Sequence, residues 1–182
     1  MRYAILAPSL LGFFLGTACI FVHAEDDSLD GQAHHHSHAA TAKIEGRSGS
    51  SLTGKATFTE VEGGVLVDLE VHGASPGWHA VHIHENGDCS AADGSSAGGH
   101  FNPAGKNHGS PMAPDHHAGD LGSLCVDEHG DGRHVLLMPD LSVQDGPNSV
   151  RSRSIIVHEK GDDFATQPTG NAGGRIGCGV IR

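Results

Sequence analysis

Alternating apolar and polar positions begin at Leu52 and mark most of the strands that we predict. Residues 65–71 place valine or leucine at every second position, which is typical of a strand with one buried face. The turn-forming run 62–64 joins this strand to a Thr-, Phe- and Val-rich strand over 53–61, so the two form a hairpin. Further short strands are predicted over 78–84, 121–126, 133–138 and 154–158.

Turn-forming residues separate these strands, and after residue 24 we predict no helix longer than a turn or two. Several short strands with such turns predict an all-β fold, a Greek-key antiparallel sandwich or flattened barrel with long loops. A chain of 182 residues is long enough for one domain with its own core. We assign residues 43–182 to that domain.

The N-terminal residues 1–24 have the pattern of an export signal. One early cation, Arg2, precedes an apolar run, and small residues stand where cleavage would fall before Glu25. A membrane anchor is the weaker interpretation because proline and glycines interrupt the apolar run. Lipid attachment at Cys19 ranks below simple cleavage because Gly16 stands where a bacterial lipobox normally has leucine. We therefore expect an exported protein, periplasmic or secreted, with no membrane contact after signal removal.

Residues 25–42 lack any apolar period and are predicted to form a flexible tail. Four histidines lie in it: His34, His35, His36 and His38. One interpretation is a segment that gathers copper or zinc where metal is scarce. The other is a solvated tail, or an engineered tag, that binds metal only weakly.

The charge of the mature chain excludes some partners. Cleavage after residue 24 removes only Arg2 among the charged residues and leaves 10 basic and 22 acidic residues, a formal charge of −12. Nucleic acid and anionic lipid both need a cationic face, so neither is expected as a partner. The mature chain keeps three cysteines, which allow one disulfide and leave one odd thiol.

Histidine is concentrated between residues 82 and 120, and residues 85–117 of this stretch have the composition of one long loop. Imidazoles gathered beside one carboxylate suit zinc or copper better than magnesium or calcium. On a strand, two histidines two positions apart project from the same face, so both can approach one ion. The stretch contains His82, His84, His100, His108, His116, His117 and Asp120.

Five motifs, in this order, resemble the copper/zinc superoxide dismutase family. The resemblance spans about residues 43–182. Five separated motifs with rare residue types make the probability of a chance match very small. The motifs are His82-Ile83-His84, residues 98–103 (GGHFNP), 117–122 (HAGDLG), 157–163 (VHEKGDD) and 169–181 (TGNAGGRIGCGVI).

The resemblance implies one copper and one zinc ion per chain, with His100 bridging the two. The copper ligands would be His82, His84, His100 and His158. The zinc ligands would be His100, His108, His117 and Asp120. His116 lies outside this set and is expected to be an exposed loop residue.

Further roles follow from the same resemblance. Asp162 would accept hydrogen bonds from one copper histidine, His82, and one zinc histidine, His108. Arg175 would attract the anionic substrate beside the copper channel, with Thr169 narrowing that channel, so Arg175 and His100 are the expected catalytic residues.

The resemblance also implies a disulfide between Cys89 and Cys178. Cys125 would then be the free thiol, a small buried strand residue. Two departures from the family pattern are Ala80-Val81, where Gly-Phe is common before the first histidines, and Pro168, where many members have lysine.

The implied activity is the disproportionation of superoxide to oxygen and hydrogen peroxide, with a homodimer as the expected assembly. An alternative from another class is a non-catalytic copper- and zinc-binding or delivery protein on the same fold. The His-rich tail favours that alternative, whereas the complete ligand sets, Arg175 and Asp162 favour the enzyme, because a carrier needs neither an anion guide nor a bridge.

Overall fold

Eight strands and one short 3-10 turn make up the secondary structure of residues 38–182, which are the residues that the computed structural model describes. The predicted signal and most of the predicted tail lie outside this range. The strands are β1 (Ala39–Gly46), β2 (Thr53–Val61), β3 (Gly64–His72), β4 (Gly77–His84), β5 (Asp120–Val126), β6 (Gly132–Met138), β7 (Ser154–His158) and β8 (Arg175–Val180), with the 3-10 turn at Ser95–Ala97.

The strands form a closed antiparallel barrel in the order β1-β2-β3-β6-β5-β4-β7-β8, with β8 pairing back onto β1. The pairs β3–β6 and β4–β7 join strands that are not consecutive, so the chain crosses the barrel end twice. This confirms the predicted all-β antiparallel fold. Within the described residues, no helix is long and apolar enough to span a membrane.

The core follows from the alternation seen in the sequence. On β3, Val65, Val67, Leu69 and Val71 are all buried, while the positions between them face outward. The same alternation on β2 buries Ala56 and Phe58 against them. Closing the sheet into a barrel gives every inward side chain apolar neighbours and leaves no unpaired edge strand.

The sequence did not predict β1 or β8, and the tail boundary at residue 42 was wrong. Ala40, Ala42 and Ile44 of β1 are buried in the core, so the barrel begins at Ala39. Alanine carries little hydrophobic signal, which hid the alternation of β1. On β8, a side chain at Gly177 would lie 2.8 Å from Leu52, so the close approach of β8 to its neighbours requires glycine and also hides the pattern.

Cys125 is not a free thiol: it takes part in a disulfide, which corrects the prediction. Its neighbours on β5, Leu124 and Val126, face the core, so the alternation turns Cys125 outward, where it is half-buried. The expectation of a small buried residue was wrong for the same reason.

Two long connections leave the antiparallel neighbours β4 and β7, one from each end of this strand pair. Residues 85–119 join β4 to β5 and contain the 3-10 turn, which confirms the predicted long loop. Residues 159–174 join β7 to β8 and fold back over it. We refer to these segments as the first loop and the second loop.

Candidate metal centre

Four buried histidines converge on the outer face of the barrel wall, where His82 and His84 flank Ile83, which points into the core. One ring nitrogen of each lies within 4.8 Å of the others. His82 and His84 come from one face of β4, and His158 ends β7, the strand beside it. His100 arrives from the first loop, where it forms an isolated bridge with His84. The sheet thus positions three members of the cluster, and one bridge fixes the fourth.

The nitrogens that face the centre of this cluster are buried and, among the described residues, have no hydrogen-bond partner. They are Nδ1 of His82, Nε2 of His84, Nε2 of His100 and the ring nitrogens of His158. A buried polar atom without a partner costs about 1–3 kcal/mol. The opposite nitrogens of His82 and His84 are engaged, by Asp162 and by the carbonyl of Gly98, which fixes each ring. Four convergent, unpartnered imidazole nitrogens fit a copper ion.

A second cluster surrounds Asp120, the first residue of β5, which β-sheet pairing places directly opposite His82. Nδ1 of His100 lies 2.9 Å from Oδ1 of Asp120, and Nδ1 of His108 lies 3.1 Å from Oδ2. Nδ1 of His117 is 3.3 Å both from Oδ1 of Asp120 and from Nδ1 of His100. Three imidazole nitrogens and one carboxylate at these separations fit a tetrahedral zinc ion.

Backbone donors hold the carboxylate of Asp120 in place. The N–H groups of His117 and Gly109 donate to its Oδ2 at 2.9 and 3.1 Å. These charge-assisted bonds, together with the neighbouring imidazoles, overcome the effect of burial and hold the pKa of Asp120 far below its usual range. The group is therefore an anion at neutral pH, as a ligand for zinc must be.

Asp162, on the second loop, links the two clusters. Its Oδ2 accepts a hydrogen bond from Nε2 of His82 at 2.7 Å, and its Oδ1 accepts one from Nε2 of His108 at 2.9 Å. All three side chains are fully buried. These are the contacts that the sequence resemblance implied for Asp162.

The pKa values of the copper-type histidines are shifted in the opposite direction from that of His108. Burial lowers the pKa of His82, lowers that of His100 to about 4, and takes those of His84 and His158 well below their usual value. The first cluster is therefore neutral at pH 7 and ready to donate nitrogen lone pairs. Burial also opposes the charge on His108, but its hydrogen bonds to two carboxylates prevail and raise its pKa to about 9.

Arg175 begins β8, where it is the strand partner of His158. Its guanidinium donates to the carbonyls of Gly94 and Gly98 at 2.7 Å each, both in the first loop. Partial burial lowers the pKa of its guanidinium below the usual value for arginine, and the group is still cationic at neutral pH. A half-buried cation therefore stands beside a copper-type histidine, in a chain that is otherwise acidic.

A disulfide between Cys89 and Cys178 ties the first loop to β8, three residues beyond Arg175. This confirms the pairing that the resemblance implied. The guanidinium of Arg47, which follows β1, adds two hydrogen bonds to the carbonyl of Cys89, at 3.1 and 2.8 Å. The segment that holds Arg175 is thus anchored to the barrel from both sides.

His116 is buried, so the expectation of an exposed loop residue was wrong. Its Nδ1 donates to the carbonyl of His117 at 2.7 Å, and its Nε2 lies 3.7 Å from Oδ2 of Asp140. A backbone carbonyl of the first loop itself and the carboxylate of Asp140, which follows β6, hold the side chain inward. Thr169, in contrast, is exposed on the second loop, where its carbonyl accepts a bond from the N–H of Ala172.

Sequence reasoning missed several residues that hold the centre. Nδ1 of the buried His79 lies 2.7 Å from the carbonyl of His158, and its Nε2 lies 2.8 Å from that of Ser75. The side chain of Gln167 contacts the backbone of His108. Neither position belongs to a spacing pattern of its own; only proximity to the histidine motifs could have indicated them.

A closed antiparallel barrel whose outer wall carries two adjoining histidine clusters defines a metalloprotein with a binuclear site. The family model for copper/zinc superoxide dismutase (SODC) matches residues 52–181. The chain therefore belongs to the copper/zinc superoxide dismutase family.

Two curated relatives and one solved structure are also similar to this chain. The chain is 40% identical over 152 residues to superoxide dismutase [Cu-Zn] 2 of Aquifex aeolicus, covering 80% of this chain and 85% of the relative. It is 42% identical over 142 residues to a superoxide dismutase [Cu-Zn] of Deinococcus radiodurans, with 72% and 78% covered. The crystal structure of the clock protein EA4 is similar, with a TM-score of 0.72, 38% identity and 83% and 98% of the two chains covered.

Proposed function

We propose that the two clusters are the copper and zinc sites of an enzyme that converts superoxide to oxygen and hydrogen peroxide. When bound, copper would supply two oxidation states, so that one superoxide gives up an electron to form oxygen and a second accepts it, with two protons, to form peroxide. Family membership supports the reaction. The observation that carries the assignment is the set of buried, unpartnered nitrogens on the copper-type histidines.

We assign copper to His82, His84, His100 and His158, through the nitrogens that face the centre of that cluster. All four are held neutral by burial, so each offers one nitrogen lone pair to copper. His100 alone would also have to lose its remaining N–H proton, because its second nitrogen is assigned to zinc. An all-imidazole set suits copper in both of its oxidation states.

We assign zinc to His100, His108, His117 and Asp120. Their separations of 2.9 to 3.3 Å around Asp120 support this set. Another grouping, with one ligand atom of each residue within 4.8 Å of the others, joins His82, His100, His108 and Asp120. We exclude His82 from the zinc set because its Nε2 is already bonded to Asp162 and its Nδ1 faces the copper-type cluster.

His100 would serve both metals, with Nδ1 toward zinc and Nε2 toward copper. Nε2 is buried and without a hydrogen-bond partner in the described part of the chain, so no protein group competes for it. We assign to this atom the task of holding the proton that is passed to the peroxide product. An imidazole nitrogen with an available lone pair is suited to that task because it can accept a proton and pass it on.

Arg175 would attract and orient superoxide. Two carbonyls hold its guanidinium beside His158, which supports a fixed position next to copper. In a chain with a formal charge of −11, a local cation is needed to draw a small anion to the site. Thr169 remains our candidate for the residue that narrows the channel.

The carrier alternative differs from the enzyme in one measurable way. A carrier would hold copper and zinc without consuming superoxide. The test is to measure copper and zinc per chain and superoxide consumption on one preparation of the mature protein. One copper and one zinc with rapid consumption supports the enzyme, whereas the same metal content with no consumption above that of free buffer contradicts it.

We infer that the protein is exported, with residues 1–24 as the signal. The disulfide between Cys89 and Cys178 supports this, because such bonds persist in oxidising compartments. Mass spectrometry of the protein purified from its own host tests the inference: a mature chain that begins at Glu25 agrees with it, and an intact N-terminus contradicts it.

We also infer a homodimer. Three large apolar side chains are unusually exposed near β4 and the two loops: Trp78 (56%), Met112 (76%) and Phe164 (42%). Exposed aromatic and methionine side chains are enriched at interfaces between proteins. Sedimentation of the wild type and of Trp78→Lys tests this: a dimer that the substitution converts to monomer is expected, and a monomeric wild type contradicts it.

A further inference from the structure

His108 differs from the copper-type histidines of β4 and β7 because it lies in the first loop, outside any strand. A strand residue receives its backbone hydrogen bonds from the neighbouring strand. His108 receives them from one side chain, that of Gln167 in the second loop. The His108 N–H donates to Oε1 of Gln167 at 2.8 Å, and Nε2 of Gln167 donates to the His108 carbonyl at 2.8 Å.

The carboxamide of Gln167 therefore does what a peptide group of an adjacent strand would do. It satisfies the donor and the acceptor of one residue at once, with geometry that fixes both the position and the tilt of that residue. A carboxylate or an apolar side chain of the same length could not make both bonds, since only an amide carries a donor and an acceptor.

The second loop holds His108 in two places. Gln167 bonds its backbone, and Asp162 bonds Nε2 of its ring at 2.9 Å. With the backbone and one ring nitrogen fixed, the direction of the other nitrogen is determined. That nitrogen, Nδ1, lies 3.1 Å from Oδ2 of Asp120.

Gly170 packs against the same histidine. A side chain there would lie 2.6 Å from Nε2 of His108 and would collide with Oδ1 of Asp162. The backbone of Gly170 is itself placed by two bonds, from its N–H to the carbonyl of Thr166 and from the N–H of Asp163 to its carbonyl. The second loop is therefore folded as a unit over the ring and the backbone of His108.

We propose that Gln167 is a positioning residue for zinc, which holds His108 in the orientation that the metal requires and so makes zinc affinity depend on the second loop. The proposal rests on the assignment of His108 to zinc. It places Gln167 in the same loop that leads to Arg175, so the segment that guides the substrate also secures the metal.

The size of the effect follows from residues that orient metal ligands in other proteins, whose removal costs about 10- to 100-fold in affinity. Gln167 is exposed, and water competes for its bonds, so we expect about tenfold. A substitution at the exposed Gln167 leaves the barrel core untouched, so we expect the variant to fold.

The test compares Gln167→Met with Thr166→Val in the full mature protein loaded with copper. Methionine has similar length and flexibility but makes neither bond. The Thr166→Val control removes one side-chain bond within the same loop, to Asp163 at 2.6 Å, without touching His108. Zinc affinity is measured by competition with a chelator, and the geometry of the site is read from the visible spectrum of Co²⁺ in place of zinc.

We expect Gln167→Met to bind zinc about tenfold more weakly and to change the Co²⁺ spectrum, while Thr166→Val stays within twofold of the wild type and copper content is equal in all three. Gln167→Glu, which keeps the acceptor for the His108 N–H but cannot donate to its carbonyl, should fall between wild type and Gln167→Met.

Three results would overturn the proposal. If Gln167→Met had the zinc affinity and the Co²⁺ spectrum of the wild type, the two hydrogen bonds from Gln167 to the His108 backbone would not affect zinc binding. Equal losses in Gln167→Met and Thr166→Val would show that only the general order of the loop matters. A wild type that takes up neither zinc nor Co²⁺ at this site would overturn the zinc assignment as well, and thus the proposed function, which the first two results leave standing.

Discussion

Oδ2 of Asp162, in the second loop, lies 2.7 Å from Nε2 of His82, on β4, although the two residues are 80 positions apart. The other carboxylate oxygen accepts from Nε2 of His108. One side chain therefore fixes the tautomer of a copper-type and of a zinc-type histidine, so that Nδ1 of each ring is left for the metal. These hydrogen bonds hold the pKa of Asp162 down at about 2, despite its burial.

Removing the charge of Asp162 should weaken zinc first. In Asp162→Asn, one amide oxygen can still accept a single bond, while the amide N–H₂ group meets the N–H of the other ring. His108 loses more than His82, because β4 holds the backbone of His82 and only loops hold that of His108. We expect zinc affinity to fall about 10- to 100-fold, with a smaller change for copper, measured by metal content after stepwise dialysis against chelator.

The control is Asp163→Asn, which alters the neighbouring, exposed carboxylate and keeps an acceptor for the N–H groups of Ala165 and Thr166. It should retain both metals. Loss of copper before zinc in Asp162→Asn would contradict the expected order.

The strands could be predicted from the sequence where large apolar residues alternate. The bounds of β2 and β7 agree with the prediction at both ends, and those of β4, β5 and β6 differ by one residue at the start. β1 and β8 escaped prediction because their inward positions are filled by alanine, glycine and half of a disulfide. Small residues are needed where β1 and β8 meet, and small residues carry little periodic signal.

The residues of the centre could be proposed because metal ligation restricts them to a few types at fixed spacing. The residues that orient them are less restricted. Gln167 acts through a carboxamide that many loop residues could supply, and His79 acts through the carbonyl of His158, which no residue type reveals. The burial of His116 was missed because its partner, Asp140, lies in a distant part of the sequence.

Reversing the charge of Arg175 should slow superoxide consumption and weaken its dependence on salt. Arg175→Glu places an anion next to the copper-type cluster, where it repels the substrate. Since focused fields change association rates by roughly 10- to 1,000-fold, we expect a fall of at least about tenfold in kcat/KM at low ionic strength. The measurement is pulse-generated superoxide decay over a range of salt concentrations.

Arg133→Glu is the matched control for this charge reversal. Arg133 is exposed on β6 and pairs with Asp68, so the substitution changes the net charge equally without altering the centre. Its exposed ion pair contributes little stability. If Arg133→Glu slowed the reaction as much as Arg175→Glu, net charge rather than the position of Arg175 would guide the substrate.

A methyl group at Gly170 should release zinc. In Gly170→Ala the new Cβ would displace the carboxylate of Asp162 from His108, and the φ angle of +63° is itself unfavourable for alanine. We expect at least about tenfold weaker zinc binding and a free energy of unfolding lowered by about 1–3 kcal/mol in the metal-loaded protein. Chelator competition and denaturant titration measure the two effects.

Gly105→Ala separates these two causes. Gly105 has nearly the same φ angle, +65°, but a Cβ there would meet no atom within 4 Å. It should show only the backbone cost and keep its zinc. Equal zinc loss in both variants would mean that loop strain, and not the contact with Asp162, controls the metal.

Removing the disulfide should destabilise the protein and loosen the segment around Arg175. The bond closes a loop between residues that are 89 positions apart, for which chain entropy alone gives roughly 4–5 kcal/mol. The double variant Cys89→Ala with Cys178→Ala should therefore unfold at a lower denaturant concentration, measured at saturating metal. Reduction of the wild type should lower its stability as well; a reduced wild type as stable as the oxidised form would contradict the prediction.

Two N-terminal deletions should have different effects, because the barrel begins at Ala39. Deleting residues 25–37 removes only residues before β1, so superoxide consumption should be unchanged when copper and zinc are in excess. Any effect should appear only when metal is scarce, as expected if His34, His35 and His36 gather metal.

Deleting residues 25–42 should instead destabilise the barrel. It removes the buried Ala40 and Ala42 and the pair of backbone bonds that joins Thr41 to Arg182 at the C-terminus. It also removes four of the β1–β2 strand pairs, from Ala39↔Thr59 to Ala42↔Ala56. With about 1 kcal/mol per lost hydrogen bond, the free energy of unfolding should fall by roughly 2–4 kcal/mol.

Denaturant unfolding and activity at two metal concentrations distinguish the two deletions. Loss of activity in the shorter deletion, even with excess metal, would show that the tail contributes to the centre or to the fold after all.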